Sequence, residues 1–533
     1  MFFNEKRIGY SETKDIKVIM PNSPQSKKQK MTDKLSKYII TVFGASGDLS
    51  KKKTFPAIFG LFKQGEISKD ECKIVGYARS KMNDEELRDR LKPFLLKQVS
   101  KESNGEKIVD EFLSNVTYVQ GPYDTDEGYQ KLGEAYKEIE KSLNKGSPVN
   151  KLHYLALPPS VFGSVCEKIK NNIYVNEDDA KTKIIVEKPF GHDLESSRQL
   201  QKELAPLFTE DELYRIDHYL GKEMVKNLLI LRFGNILFNS AWNKENIQNI
   251  QITFKEPFGT EGRGGYFNDI GIIRDVMQNH LLQVLTLLTM ERPVSFDSEA
   301  VRDEKVKVLK AIAPIDHDDI IIGQYGKSED GSKPSYLDDE TVPEGSKCIT
   351  FAAMNFQIRN ERWDGVPIVM KAGKALDVGK VEIRIQFKPV ASGMFSQIPN
   401  NELVIRIQPD EAVYLKCNMK TPGLSTTTKI TDLNLTYADR YEDFWIPQAY
   451  EALIRDALIG DHSNFVRDDE LDVSWALFTP LLDYLEGENA PEPTIYAYGS
   501  RGPVELNEYM HNHNYKYMHG DIYQWPVTRP DSE

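Results

Sequence analysis

A doubly wound parallel α/β sheet, followed by an α+β domain built on a large, mainly antiparallel sheet, is the fold the sequence predicts, and three observations predict it. The first is a β-branched apolar run, Tyr38 to Phe43, which ends in the glycine corner Gly44-Ala45-Ser46-Gly47 and leads into apolar residues at helical spacing. Further short apolar segments ending at Tyr77, Leu157 and Val186 alternate with amphipathic stretches such as Asp84 to Gln98, the second observation. The third is a change of texture after about residue 215. Asn249 to Phe254, Val381 to Phe387, Leu403 to Gln408 and Ala412 to Cys417 are strand-like, and several of them alternate polar and apolar residues.

Taken in order, residues 1–37 carry nine Lys or Arg against four Asp or Glu, with two prolines and several serines, and read as a flexible basic tail. Glu5, Glu12 and Asp15 argue against an organellar transit peptide. Residues 38–215 form the first domain. Its glycine corner makes it Rossmann-like, with Asp48 and Ser50 as expected helix caps and Lys51 to Phe62 as the following helix. Residues 216–533 form the second domain, where a long helix from Tyr266 to Met290 and another near Gln448 to Ile459 are expected to cover the sheet faces. Ser328 to Ser335 reads as an exposed loop.

A chain of 533 residues, 40% hydrophobic and 28% charged, buries more than one core. Its formal net charge of −13 disfavours nucleic acid and anionic membranes as partners, so an anionic substrate needs a local cationic pocket. Cys72, Cys166, Cys348 and Cys417 are scattered, without a spacing that suggests disulfides or a zinc site. A reducing, cytoplasmic setting without a bound metal follows as the expectation. The most apolar stretch, Leu281 to Met290, is about half of a bilayer span, so no transmembrane segment is expected.

The densest chemistry lies in Arg215-Ile-Asp-His-Tyr-Leu-Gly-Lys-Glu223. Two cations, an imidazole and a phenol close to Asp217 suit a phosphate dianion, and a sugar phosphate is the first guess; the alternative is a solvated charged turn. At the glycine corner, Gly44 and Gly47 let the backbone approach a pyrophosphate at a helix N-terminus, although a tight turn without ligand uses the same residues. Arg79, at the end of the next strand, offers a guanidinium where NAD enzymes present a carboxylate, which argues for NADP. Lys51 adds charge near the phosphates or is simply solvated.

Hydride transfer from an alcohol to nicotinamide needs a base that is neutral near pH 7, and His280 is the candidate. On a helix it shares the inward face of Ile273, Val276 and Met277, which also fits a hydrogen-bonded core histidine. Asp217, brought in from a strand end, would fix its tautomer and complete a dyad. Glu256 and Asp275 suit sugar hydroxyls or surface ion pairs. Lys188, in Glu187-Lys188-Pro189-Phe190-Gly191, closes a buried strand and reaches the crevice where open α/β sheets bind ligands.

With these motifs assembled, together with Gly264 to Gln283 and its Arg-Asp-Val-Met-Gln-Asn-His core, the chain closely resembles the glucose-6-phosphate 1-dehydrogenase family over about residues 36–527. The resemblance implies NADP-dependent oxidation of D-glucose 6-phosphate at C1, the first step of the oxidative pentose phosphate pathway, with His280 as proton acceptor and Asp217 as its partner. It implies His218, Tyr219 and Lys222 at the 6-phosphate, and Lys188, Glu256, Asp275, Lys374 and Gln408 around the sugar. Gly44, Ala45, Ser46, Gly47, Asp48, Leu49, Ser50, Lys51, Arg79, Tyr154 and Lys188 would hold the catalytic NADP. A second, structural NADP is implied at Lys371, Lys380, Arg384, Arg406, Tyr414, Lys416, Arg501, Tyr517 and Trp525, and a homodimer or homotetramer is implied through the relatives. Lys371 and Asn434 stand where animal forms carry Arg and Asp, and Gly379 replaces a basic residue found there. Dehydrogenases of unphosphorylated sugars and inositols share the Glu-Lys-Pro strand end but lack the segment from Arg215 to Glu223. A catalytically silent NADPH-sensing scaffold would predict a damaged base or phosphate pocket, whereas every core catalytic position is present.

Overall fold

All six residues of β1 (Tyr38–Phe43) are buried, because a β-branched run without polar alternation is stable only where both faces of the strand are covered. The structure, a computed structural model, describes residues 36–516 except 391, 392, 396, 442 and 443. Nearly all of the basic tail, and Tyr517 and Trp525, therefore lie outside the described residues. The strands that follow are β2 (Cys72–Ala78), β3 (Val116–Gln120), β4 (Asn150–Leu155), the two-residue β5 (Asn176–Glu177), β6 (Ala180–Glu187) and β7 (Leu213–Ile216). β1 pairs in parallel with β2 on one side and β4 on the other. β3 extends the sheet beyond β2, and β6 and β7 extend it beyond β4, all in parallel. Only β5 runs antiparallel, against β6. The chain thus winds outward from β1 in one direction and from β4 in the other, and a crevice opens at the carboxyl ends of these two strands.

The second sheet contains β8 (Ile247–Lys255), β9 (Ile320–Ser328), β10 (Phe351–Phe356), β11 (Ile368–Gly373), β12 (Lys380–Phe387), β13 (Glu402–Gln408), β14 (Ala412–Lys420), β15 (Thr428–Thr436) and β16 (Thr494–Tyr498). Their order is β15-β14-β13-β12-β8-β11-β10-β9-β16. Every neighbouring pair is antiparallel except β8 with β11 and β9 with β16, so the expectation of a mainly antiparallel sheet holds.

Three local expectations need correction. The stretch from Tyr266 to Met290 is not one helix. A short turn, Gly264–Asn268, is followed by a break at Gly271 (φ +63°), then a π-helix Ile273–Leu281 and an α-helix Leu282–Thr289. The backbone at Gly271 is left-handed, which interrupts a right-handed helix. Asp48 and Ser50 do not cap the first helix. Ser50 instead donates its hydroxyl to the Gly44 carbonyl at 2.8 Å and begins a π-helical turn, Ser50–Thr54, that continues into the α-helix Phe55–Lys63.

The helix Ala449–Ile459 forms where expected, but it packs on the first domain rather than on the large sheet. Leu453, Ile454, Ala457 and Leu458 share a core with Phe55, Ile58 and Tyr154. Helix contact is close enough that a Cβ on Gly60 would fall 1.8 Å from Glu451 Oε1. Tyr38 and Lys183 donate to the carbonyls of Leu458 and Ala457 at its end. No helix among the described residues is long and apolar enough to cross a membrane.

Candidate active site

β6 and β7 end side by side and deliver the first catalytic candidates. Lys188 follows β6 directly, with a cis peptide to Pro189, and Asp217 follows β7. Asp217 starts the 3-10 turn His218–Gly221, its Oδ1 accepting from the Tyr219 amide at 2.9 Å. Lys222 then leads into the helix Glu223–Phe233. The π-helix Ile273–Leu281 contributes Asp275 and His280. In that geometry hydrogen bonds join residues five apart, so these two side chains leave the helix on the same side.

His280 Nδ1 lies 2.5 Å from Asp217 Oδ1, and its Nε2 lies 2.9 Å from Lys188 Nζ. Both members of the pair are almost fully buried. Lys188 also donates to the Asp275 carbonyl at 2.8 Å. Asp275 Oδ2 is 3.5 Å from Lys374 Nζ, which in turn pairs with Glu256 at 2.5 Å. On the other flank, Tyr219 stacks on His280 with centroids 4.5 Å apart, Lys222 lies 5.1 Å over the Tyr219 ring, and Lys222 donates to Gln408 Oε1 at 2.6 Å. His218 meets the His280 ring edge-on at 4.4 Å. The structure therefore brings all ten residues expected at the base and the sugar into one continuous chain of contacts. A cavity of about 350 Å3 adjoins them, lined by Pro159, Lys188, Asp217, Tyr266, Asp275 and Asn279 among others.

The electrostatics favour a neutral imidazole beside a charged carboxylate. Burial alone would raise the Asp217 carboxyl, but His280, His218 and Lys188 outweigh it and hold the group well below the usual carboxylate range. Burial, with Lys188, pushes His280 down despite the opposing Asp217. Burial and the neighbouring His280, Lys188 and Lys222 push His218 down further. Ligand atoms of Asp217, His218 and His280 lie within 4.8 Å of one another, a spacing open to a metal ion, but the hydrogen bond already engages His280 Nδ1 and Asp217 Oδ1.

The glycine corner fits a closely approaching nucleotide. Gly44 has φ +79°, and a Cβ there would fall 2.3 Å from the Ala156 carbonyl, so neither the turn nor its distance from β4 tolerates a side chain. The Gly44 and Ala45 amides are donated to Tyr77 and the Gly47 amide to Gly44. The first amides of the following helix, from Asp48 onward, then supply its positive end. Lys51 pairs with Asp48 at 2.6 Å, and Ser46 accepts from Ser80 at 2.9 Å. Arg79 is exposed at the end of β2, 5.4 Å over the Tyr123 ring. Tyr154 is buried, its hydroxyl bonded to Glu187.

On the large sheet, Lys380, Arg384 and Arg406 approach Glu382, while Arg384 and Lys416 pair with Glu402. Lys371 donates to Gln251 at 2.9 Å and is pushed down to about 7, first by burial and then by Lys255 and Arg384. Tyr414 is buried among them and Arg501 lies 3.9 Å from Asp377.

Sequence reasoning gave no role to Glu187 or Tyr450. Glu187 lay within a quoted motif, and a carboxylate closing a buried strand was the available signal. Tyr450 carried none, because its proximity to His218 arises only from the packing of the helix Ala449–Ile459.

Residues 41–227 match the family described as "Glucose-6-phosphate dehydrogenase, NAD binding domain", and residues 229–518 match its C-terminal domain. The chain is 99% identical to a glucose-6-phosphate 1-dehydrogenase of Hanseniaspora uvarum over 503 residues, 94% of this chain and all of that one. It is 68% identical to that of Kluyveromyces lactis over 495 residues, 92% of this chain and 98% of that one. A solved glucose-6-phosphate dehydrogenase in complex with its substrate glucose-6-phosphate superposes with a TM-score of 0.88 at 66% identity, covering 91% of this chain and all of that chain. By sequence over both domains and by fold, the chain belongs to the glucose-6-phosphate dehydrogenase family.

Proposed function

We propose that this chain oxidises D-glucose 6-phosphate at C1 to 6-phospho-D-glucono-1,5-lactone with NADP as the oxidant, opening the oxidative pentose phosphate route and generating NADPH. The observation that carries this reading is the 2.5 Å contact between His280 Nδ1 and Asp217. A carboxylate there keeps the proton on Nδ1 and leaves the Nε2 lone pair for the C1 hydroxyl proton. His280 takes that proton as the C1 hydrogen departs with its electron pair, and Asp217 stabilises the imidazolium that results. His218, Tyr219 and Lys222 hold the 6-phosphate, where cationic and hydroxyl donors converge. Lys188, Glu256, Asp275, Lys374 and Gln408 surround the sugar. When bound, the nicotinamide supplies the two-electron acceptor, and residues 44–51, Arg79, Tyr154 and Lys188 hold the dinucleotide. Arg79 favours NADP over NAD by pairing with the additional phosphate.

Three further readings belong with it. Five cations around Glu382 and Glu402 leave a local excess of positive charge, which supports a second, structural NADP on the large sheet. Leu433 on the edge strand β15, with Phe444 and Trp445 nearby in the chain, exposes apolar surface that supports a homodimer or homotetramer. Four free cysteines, two of them buried, support a cytoplasmic setting.

Initial rates followed by the absorbance of the reduced nicotinamide, with glucose 6-phosphate or glucose and with NADP or NAD, test the reading. Rapid reduction is expected with the phosphorylated sugar and NADP. Equal rates with free glucose would overturn the phosphate assignment, and equal rates with NAD the cofactor assignment.

A further inference from the structure

Asn279, one residue before the proposed base, has no part in the steps above. Its carboxamide spans the π-helix on which Asp275 and His280 stand. Nδ2 donates to the Arg274 carbonyl, five residues back, at 2.8 Å, and Oδ1 accepts from the His280 amide at 2.7 Å. The Arg274 end of this bridge is fixed from outside the π-helix. Its guanidinium donates through Nε to the His192 carbonyl at 2.8 Å, and through Nη1 and Nη2 to Glu486 of the helix Asp468–Glu486. At the other end, His280 Nδ1 meets Asp217 and Nε2 meets Lys188. Lys188 also donates to the Asp275 carbonyl, the group that in a π-helix lies opposite the His280 amide.

We infer that Asn279 is a positioning residue that holds this turn in the π register, so that His280 stays on Asp217 while Asp275 keeps to the same side of the helix. The inference rests on the assignment of His280 as the base. π turns are rare beside α turns, and the α-helix Leu282–Thr289 follows directly, so the wide turn needs a local cause. In an α-helix the His280 amide would donate to the Val276 carbonyl, four residues back, and side chains five residues apart would leave the axis about 140° from one another. Asp275 and His280 would then no longer face the same ligand. Asn279 opposes that return at both ends: it gives the His280 amide an acceptor of its own, and it ties the same carboxamide to a carbonyl one full π turn earlier. Leaving either backbone group without a partner beside the site is costly.

The test reads kcat and KM for glucose 6-phosphate in Asn279→Leu, Asn279→Asp, His280→Asn and the double variant Asn279→Leu with His280→Asn. It also follows, by proton NMR, the downfield signal of the bond between His280 Nδ1 and Asp217, which His280→Asn assigns by its absence. Asn279→Leu keeps the size of the side chain and loses both hydrogen bonds. It should lower kcat about 100-fold, the scale of a catalytic group displaced by roughly 1 Å, with a smaller change in KM because the phosphate ligands stand on another turn. The Nδ1 proton signal should be lost with it. Asn279→Asp keeps the acceptor for the His280 amide but not the donor to Arg274, and its kcat should lie between those of Asn279→Leu and the parent. In the His280→Asn background, adding Asn279→Leu should cost no more than about twofold, since a residue that acts through the base has nothing left to position. If Asn279→Leu does not fold, Asn279→Asp takes its place in each comparison. Near-parent kcat in both Asn279 variants, or an Nδ1 signal that persists in Asn279→Leu, overturns the inference alone. A further loss of about 100-fold in the double variant would mark a packing fault and also overturn it. Near-normal turnover in His280→Asn removes the base assignment and the inference with it.

Discussion

The Lys188 ammonium lies 2.9 Å from His280 Nε2, on the opposite ring nitrogen from the one that meets Asp217. The imidazole is thus held between a carboxylate and a cation. Asp217 favours the Nδ1–H tautomer, and Lys188 donates to the lone pair on Nε2. The nitrogen proposed to receive the C1 hydroxyl proton is therefore already aligned by a donor that the substrate hydroxyl must join or displace.

His280→Asn removes this lone pair while keeping a polar side chain of smaller size. It should lower kcat by roughly 100-fold or more, the usual scale for a positioned base, with little change in KM for glucose 6-phosphate. Steady-state rates decide the point, and near-normal turnover would remove His280 from the role.

Lys188→Met should alter the pH dependence as well as the rate. Lys188 lowers the tendency of His280 to bind a proton, so its removal raises the His280 pKa. The base works only when neutral, so the acid limb of the kcat/KM profile should move to higher pH, by roughly one pH unit for loss of a nearby charge. An acid limb that stays in place, or moves to lower pH, would show that Lys188 does not tune the base.

Strands β1, β2, β4, β6, β8, β12, β13 and β14 were legible because β-branching and alternation are local properties of the sequence, whereas β3, β5, β9, β10, β11, β15 and β16 were not singled out. The break at Gly271 and the π-helix after it were not, since apolar periodicity over two or three turns does not distinguish one helical register from another. The density of donors from Asp217 to Lys222 was visible for the same local reason. Its connection to Tyr450 was not: amphipathicity shows that one face of the helix Ala449–Ile459 is buried, but not that it is buried against Phe55 and Ile58 of the other domain. Lys374 and Gln408 stand at strand ends far in the chain from Glu256 and Lys222, which they meet, and their place at the site was reached only through the family resemblance.

Lys222→Ala should raise KM for glucose 6-phosphate by about 10-fold or more, because a charge-assisted contact to phosphate is lost. Free glucose has no phosphate to lose, so its kcat/KM should change little and the advantage of the phosphorylated sugar should narrow. An unchanged preference would count against Lys222 as a phosphate ligand.

Acid stability should be governed by buried histidines. Burial pushes His153 down to about 3 and His462 to about 4, and for both the nearby cations Lys151 and Arg302 act in the same direction. Unfolded histidines bind protons near pH 6.5, whereas these remain neutral in the fold until lower pH. Their contribution is therefore fully present above about pH 6.5 and is lost as the pH falls toward the folded values, each ring adding about 1.4 kcal/mol per pH unit to the slope. Denaturant titrations through this range should show a shallower decline for His153→Phe than for the parent chain. Identical slopes would show that His153 does not contribute.

Arg79 decides between the two dinucleotides only if its guanidinium meets the phosphate that distinguishes NADP from NAD. It stands at the carboxyl end of β2, exposed, with its guanidinium 5.4 Å from the centre of the Tyr123 ring. Among the described residues it has no ion pair to break before a phosphate binds, and a ring face holds the cation more weakly than a carboxylate does. Arg79→Leu should raise KM for NADP about 10- to 100-fold, the cost of a lost charge-assisted contact, and leave KM for NAD nearly unchanged. The ratio of kcat/KM for the two cofactors reads this directly: parallel losses with NAD and NADP would assign Arg79 to the fold of the crevice rather than to the choice of cofactor.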